Sequence, residues 1–305
     1  MKAGANGEIE AADSGSRTPA PHPLAPGLHV VAVPIGNLRD ITLRALDTLA
    51  GVDEIWCEDT RVTARLLSAH GIRASLHSYH EHRAEAARRR ILGRLAQGAA
   101  VALVSDAGTP LISDPGYKLV RAAHKAGHAV HAVPGPSALI AALSVAGLPT
   151  DRVLFAGFPP PRSTRRRRWF EELRPLRATL IVYEAPHRLP ATLTDAAEVL
   201  GEREAVVARE LTKRHEEIRR GPLPALAAEF AARERVLGEI VLLIAPGDAR
   251  EKAIDEAEID RMLAERLAAM PLRRAVDEVC ALTDRPRREI YARALALKGA
   301  GKQEP

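Results

Sequence analysis

Short apolar runs alternate with amphipathic stretches from residue 28 to about residue 148. LHVVAV (28–33), VDEIWCE (52–58), AAVALVSD (99–106) and HAVHAVPG (128–135) have the composition of buried strands. Between them, ITLRALDTLA (41–50) sets Ile41, Leu43, Ala45, Leu46 and Leu49 near helical spacing. TRVTARLLSAHG (60–71) predicts a helix stopped by Gly71, a residue free to adopt the left-handed conformation past a helix end. RAEAARRRILGRLAQG (83–98) and GYKLVRAAHKAG (116–127) predict two more helices. Strands that alternate with helices predict a largely parallel sheet covered on both faces.

The rhythm restarts near residue 150. DRVLFAGF (151–158), ATLIVYEA (178–185), EAVVAREL (204–211) and GEIVLLIAP (238–246) read as strands, with HRLPATLTDAAEVLG (187–201) a helix between them. This predicts a second α/β domain with more antiparallel pairing. IDRMLAERLAAM, LRRAVDEVCALT and RPRREIYARALAL then form three helical patterns, the last opened by Thr283-Asp284 with Pro286 in its first turn. The expected division is a disordered tail at 1–26, α/β domains at 27–149 and 150–247, a linker at 248–256 and a helical domain at 257–305.

Composition narrows the class. Hydrophobic residues are 46% and aromatics only 3%, so aliphatic side chains must build the core. The net charge of +5 permits a nucleic-acid partner without requiring one. Cys57 and Cys280 have no disulfide or zinc spacing, which fits a reducing, cytoplasmic setting. No run of about 18 apolar residues predicts a membrane span, and the Ala-, Gly-, Pro- and Ser-rich start lacks the apolar centre of a secretory signal.

Three strands of the first domain end in unusual turns: PIGNL (34–38), SDAGTPLISDPG (105–116) and PGPSA (134–138). In a parallel sheet the loops at the carboxyl ends of strands build the ligand site. Glycine there lets bare backbone approach a ligand. Neither G-x-G-x-x-G nor a G-x-x-x-x-G-K-[ST] phosphate loop is present, so a dinucleotide or triphosphate site is not supported. Downstream, PRSTRRRRWFEELRPLR (161–177) holds seven arginines and two glutamates. Arginine forks pair with phosphates, so Arg165, Arg166, Arg167 and Arg168 are expected to bind RNA; a solvated helix face is the plainer alternative. Trp169 offers a ring for stacking or for packing. Residues 261–305 carry ten basic and six acidic side chains, which suits either RNA contact or a packing appendage.

In order along the chain, PIGNLRDITLRAL, EDTR, YHEH, SDAGTPLISDPGY, PGPSALIAALSVAGLPTDRVLFAGF, YEAPHRL, ARELTKRHEE and GEIVLLI resemble one family closely. It is that of the bacterial small-subunit (16S) ribosomal RNA (cytidine-2′-O)-methyltransferases, within the tetrapyrrole methylase fold. The resemblance covers residues 28–247, and the C-terminal helices resemble that family's helix-turn-helix-like domain. It implies two α/β domains with the active cleft between them, S-adenosylmethionine (SAM) as methyl donor, a homodimer, and a cytidine in the decoding region of 16S rRNA within the small ribosomal subunit as substrate. By residue, it implies a donor site at Pro34, Gly36, Asn37, Ser105, Asp106, Ala107, Gly108, Thr109, Pro136, Ser137, Ala138, Tyr183, Glu184, Ala185, Gly238 and Glu239.

A ribose 2′-OH is a poor nucleophile until it loses its proton, so a general base within hydrogen-bond reach is expected. Asp59 in CEDTR is the first candidate and Glu81 in YHEH the second; Asp59 also suits a helix N-terminus. Glu58, Arg61, His80, His82 and Lys213 are expected on the RNA side, Lys213 being a further base if burial lowers its pKa. The H-x-H pair lacks further ligands, so no metal is expected. Two rivals stand beside this reading: a tetrapyrrole or cobalamin-precursor methyltransferase, and a non-catalytic RNA-binding assembly factor.

Overall fold

The computed structural model describes residues 24–80, 84–247, 256–283 and 285–300. Glu81, His82, Asp284, most of the expected tail and nearly all of the expected linker lie outside the described residues.

The first unit runs β1 (Gly27–Val31), α1 (Leu43–Gly51), β2 (Glu54–Cys57), α2 (Thr60–Ala69), β3 (Leu76–Ser78), α3 (Ala84–Ala96), β4 (Ala100–Leu103), α4 (Tyr117–Lys125), β5 (Val130–Val133) and α5 (Ala138–Ala146). Its five strands are all parallel, in the order β3-β2-β4-β1-β5. Strands β2 and β4 are buried along their whole length, as near-continuous apolar runs require when helices cover both faces. The predicted helix stops hold: Gly71, Gly98 and Gly127 have φ of 67°, 81° and 78°. The three-residue β3 and the helix α5 were not foreseen; β3 is too short to show an alternation, and α5, apolar on nearly every side, shows no amphipathic period.

The second unit runs β6 (Val153–Phe155), α6 (Ser163–Leu173), β7 (Thr179–Glu184), α7 (Leu189–Leu200), β8 (Glu204–Arg209), β9 (Glu217–Pro222), α8 (Leu223–Ala231) and β10 (Ile240–Ile244). Its strands lie in the order β6-β7-β10-β8-β9, and only β6 and β7 are parallel. Strand β9, EIRRGP, escapes an apolar-run reading because it is a charged, exposed edge strand, and such charges keep an edge from pairing with other chains.

One helix of the first unit joins the two. The α5 sequence ALIAALSVA is apolar all round. Its Ala142 and Ala146 are buried with Ile35 and Leu148 against Ile181, Val206, Ala208, Val241 and Leu243 of the second sheet. The opposite face of that sheet packs on Phe170, Leu189, Leu193, Leu223 and Phe230 from α6, α7 and α8. Covered on both sides, β10 can be the unbroken apolar strand IVLLI.

Helices α9 (Glu256–Ala269), α10 (Leu272–Thr283) and α11 (Arg287–Ala300) enclose a separate small core of Ile259, Leu263, Val276, Val279, Ile290 and Ala294. Several of its basic residues are tied internally, Arg293 to Asp260 at 2.8 Å and Arg287 to Asp277 at 2.8 Å. Among the described residues, no helix is long and apolar enough to cross a membrane.

Candidate functional site

In sequence the turns after β1, β4 and β5 are some 30 to 70 residues apart, but the strand order makes their strands neighbours. Their loops are laced together. Val33 and Gly108 exchange both backbone hydrogen bonds, at 2.9 and 3.1 Å. The Thr109 hydroxyl donates to the Pro136 carbonyl at 3.0 Å, and the Ser105 hydroxyl donates to the Ala107 carbonyl at 3.0 Å. Gly108 has a φ of 73° and sits so close to Ile35 that a Cβ would come within 3.2 Å of that side chain.

Facing these loops across a cavity of about 370 Å³ are the ends of β7 and β8 and the start of β10. The cavity falls within the roughly 300–1,000 Å³ of small-molecule sites. Ten of the expected donor residues line it: Ala107, Gly108, Thr109, Ser137, Ala138, Tyr183, Glu184, Ala185, Gly238 and Glu239. The rest do not. Pro34, Ser105 and Asp106 line an adjoining cleft with Leu38 and Val62. The Pro136 carbonyl is taken by Thr109, and exposed Asn37 caps a single turn of 3-10 helix through the backbone N–H of Arg39, at 3.1 Å. Gly36 answers a packing demand: a Cβ there would lie 2.5 Å from Cγ of Lys213, which reaches over from the second unit.

The second-unit wall is held by hydrogen bonds and close packing. Glu184 is buried, accepting from the Thr192 hydroxyl at 2.5 Å and the Ala185 N–H at 2.8 Å, with Arg188 at 3.3 Å. Gly238 has a φ of 94°, and a Cβ on it would strike Glu210 at 2.4 Å. Ile35, Ala208, Ile240 and Val241 supply an apolar lining. An adenosyl group fits such a lining: an apolar bed for the purine, and backbone and hydroxyl groups of the first-unit loops at its polar edge. The residues present therefore fit SAM.

Several expectations need correction. Asp59 is the N-cap of α2: its side chain accepts from the Arg61 backbone N–H at 2.8 Å and from the Arg61 guanidinium at 2.6 and 3.0 Å. Those bonds, led by the guanidinium's, hold its carboxyl well below the usual range, the reverse of what a general base needs. Arg61 is paired with Asp59 and stays exposed. Lys213 is not a lowered-pKa base either. Burial pushes its pKa down, but bonds to Glu210 at 2.9 Å and Glu239 at 3.1 Å reverse the sign.

The arginine run also divides. Its middle, from Ser163 to Leu173, forms α6. Arg166 points inward, 3% exposed, with its guanidinium 2.6 Å from buried Asp195 and bonded to the Pro161 carbonyl. It cannot face RNA. Arg167 shares Asp195 and pairs with Glu198. Arg165 and Arg168 are exposed. Trp169 packs on Phe170 at 5.0 Å between ring centroids rather than standing free. His80 is exposed and Glu58 half-buried.

Phe158 and Asp114 are among the cavity residues that went unassigned in the sequence. Phe158 is 54% exposed and sits edge-on to Tyr183, which in turn meets Phe155, with centroids 5.7 and 4.9 Å apart. Asp114 is half-buried on the first-unit side. The sequence signal for it was present: SDPG stands in the same loop as SDAG, with a second carboxylate eight residues on.

A parallel sheet, a mixed sheet and an inter-sheet cavity walled by strand-end loops define a two-domain α/β protein with a small-molecule site between its sheets. The family model described as Tetrapyrrole (Corrin/Porphyrin) Methylases matches residues 27–227, and the chain belongs to that family. A second model, described as the RsmI C-terminal HTH domain, matches residues 253–298. The chain is 49% identical to a protein of Mesorhizobium japonicum named ribosomal RNA small subunit methyltransferase I, over 90% of this chain and 94% of that one. A protein of the same name from Escherichia coli O157:H7 is 44% identical over 89% of this chain and 96% of its own. The cobalamin-biosynthetic enzyme cobalt precorrin-4 methyltransferase shares the fold, with a TM-score of 0.55 at 17% identity over 72% of this chain and 94% of that one.

Proposed function

We propose that this chain is a SAM-dependent methyltransferase that methylates the ribose 2′-OH of a cytidine in the decoding region of 16S rRNA, acting on the small ribosomal subunit. The observation that carries this is near-full-length similarity, C-terminal helices included, to proteins named ribosomal RNA small subunit methyltransferase I. The donor, a sulfonium, supplies an electrophilic methyl group with a neutral thioether as leaving group. Ala107, Gly108, Thr109, Ser137, Tyr183, Ala185 and Gly238 would hold it; the protein's task is to bring the hydroxyl in line with it.

The mouth of the cavity suits a nucleotide. The chain has only four Phe, four Tyr and two Trp, yet Phe155, Phe158 and Tyr183 meet at this one place. RNA-binding proteins stack unpaired bases on such rings. Residues 159–162 alone separate Phe158 from α6, whose exposed Arg165 and Arg168 supply positive charge for flanking phosphates. These features favour RNA over a free macrocycle. A homodimer is supported by α5, which leaves Ile140 and Val145 58% and 50% exposed on an otherwise apolar helix. Free Cys57 and Cys280 fit a cytoplasmic setting.

Mass spectrometry of 16S rRNA from a strain lacking the gene tests the activity. One 2′-O-methylcytidine should be lost and should return when purified protein and SAM are added to the small subunits. An unchanged methylation pattern sinks the reading. Light scattering should give twice the monomer mass, and an Ile140→Asp variant should run as a monomer; a monomeric native protein refutes the dimer.

A further inference from the structure

Three carboxylates line the cavity, and they differ in what surrounds them. Glu184 is fastened by Thr192, Arg188 and the Ala185 N–H. Glu239 is bonded to Lys213. Asp114 has no ion pair with a described residue. The backbone around it is held under strain, with Leu111 at a φ of 75° and Ser113 at 67°, both uncommon for residues with a side chain. Gly116 closes the turn at a φ of 140°, where a Cβ would lie 3.0 Å from Leu103 and 3.2 Å from Leu111. Such strain persists only where the surroundings over-determine a position.

We infer that Asp114 is the general base that takes the proton from the substrate hydroxyl in this cavity. This rests on the ribose methyltransferase reading above and names the residue that its chemistry needs. The carboxylate oxygen accepts the hydroxyl proton and the O–H electron pair stays on the ribose oxygen. That oxygen forms a bond to the donor's methyl carbon while the carbon–sulfur bond breaks, its pair going to sulfur. The products are a methyl ether, a neutral thioether and a protonated Asp114, which returns its proton to water. Atoms and charge balance with no further reactant.

The surroundings suit the task. Burial raises the Asp114 pKa, the negative charges of Glu58 and Asp106 raise it further, and the nearby Ser105 hydroxyl offsets this only in part, leaving it at about 6. Across the cavity stands Tyr183, whose phenol is raised first by burial and also by the Asp114 charge. Among the described residues, Glu58 after β2 and Asp106 after β4 act on Asp114, and the cations Lys213 and Arg188 are engaged with glutamates. A base of that strength is ionised at neutral pH yet binds a proton far better than Asp59 does.

The test uses the full-length protein, small subunits lacking the modification, and SAM. Native protein should show single-turnover transfer that falls away as the pH drops through about 6. Asp114→Asn should cut transfer by about a hundredfold or more, bind SAM within about threefold of native by calorimetry, and show a flat pH profile where residual transfer is measurable. Asp114→Glu should keep part of the activity with a displaced pH midpoint. The folded-state pKa is raised, so stability is greatest below the unfolded carboxylate's pKa and declines as pH rises through about 6. Asp114→Asn should therefore melt no lower than native above pH 7. Transfer within about threefold of native, or a loss matched by an equal loss of SAM affinity, overturns the assignment. If the native protein itself forms no 2′-O-methylcytidine, the parent reading falls and takes this one with it.

Discussion

The glycine- and proline-rich loops after β1, β4 and β5 and the arginine run of α6 are both dense local motifs, yet the fold treats them oppositely. Three loops scattered over some 100 residues converge on one cavity, because adjacent parallel strands release their carboxyl ends at the same sheet edge. Four consecutive arginines are dispersed, because a helix turns each residue about 100° from the last. Arg166 is carried into the core, Arg167 to its rim, and Arg165 and Arg168 to solvent. A loop motif keeps its meaning when backbone does the work. A charge run keeps its meaning only for the residues that the helix turns outward.

The sharpest way to break this contrast is Arg166→Met. Asp195 would remain buried with Ser163 and Arg167 as its partners among the described residues, at a cost of about 3 kcal/mol. Chemical denaturation should show it, while Arg165→Ser leaves the midpoint unchanged; equal effects would dissolve the distinction. On the loop side, Gly238→Ala places a Cβ against Glu210 and should weaken SAM binding roughly tenfold by calorimetry, about 1.4 kcal/mol. A native Kd would mean that the β10 entrance is more plastic than its contacts require.

The paired Arg165→Ser and Arg168→Ser replacement should weaken small-subunit binding and lower the slope of log affinity against log salt by about two. An unaltered slope removes α6 from the RNA surface. The smallest effect belongs to Asp59→Ala. Losing the α2 cap should lower the melting temperature by a few degrees and leave the transfer rate within about threefold. A collapse in rate would restore Asp59 to the chemistry.

Legibility followed range. The first four helices of the first unit and the glycine stops of three of them were readable, since periodicity and left-handed glycines are local. Strands β3 and β9 were not, one too short and the other a charged edge. The donor loops were readable as loops, and five of the donor residues expected on them, Ala107, Gly108, Thr109, Ser137 and Ala138, line the cavity. The roles of Asp59 and Asp114 could not be separated in sequence. Each stands in a loop with other carboxylates, and only the neighbours in space decide that one meets Arg61 while the other meets the charges of Glu58 and Asp106.

By itself, the sequence determined the alternation of strands and helices, the second α/β unit, the three-helix end and the places where glycine must stand. Those follow from local backbone preference and apolar period. Tertiary structure alone decided which loops meet, which arginines are spent on Asp195, why Gly36 must yield to Lys213, and which carboxylate can accept a proton. Proton affinity and charge availability depend on burial and on partners tens of residues away, and no local pattern encodes them.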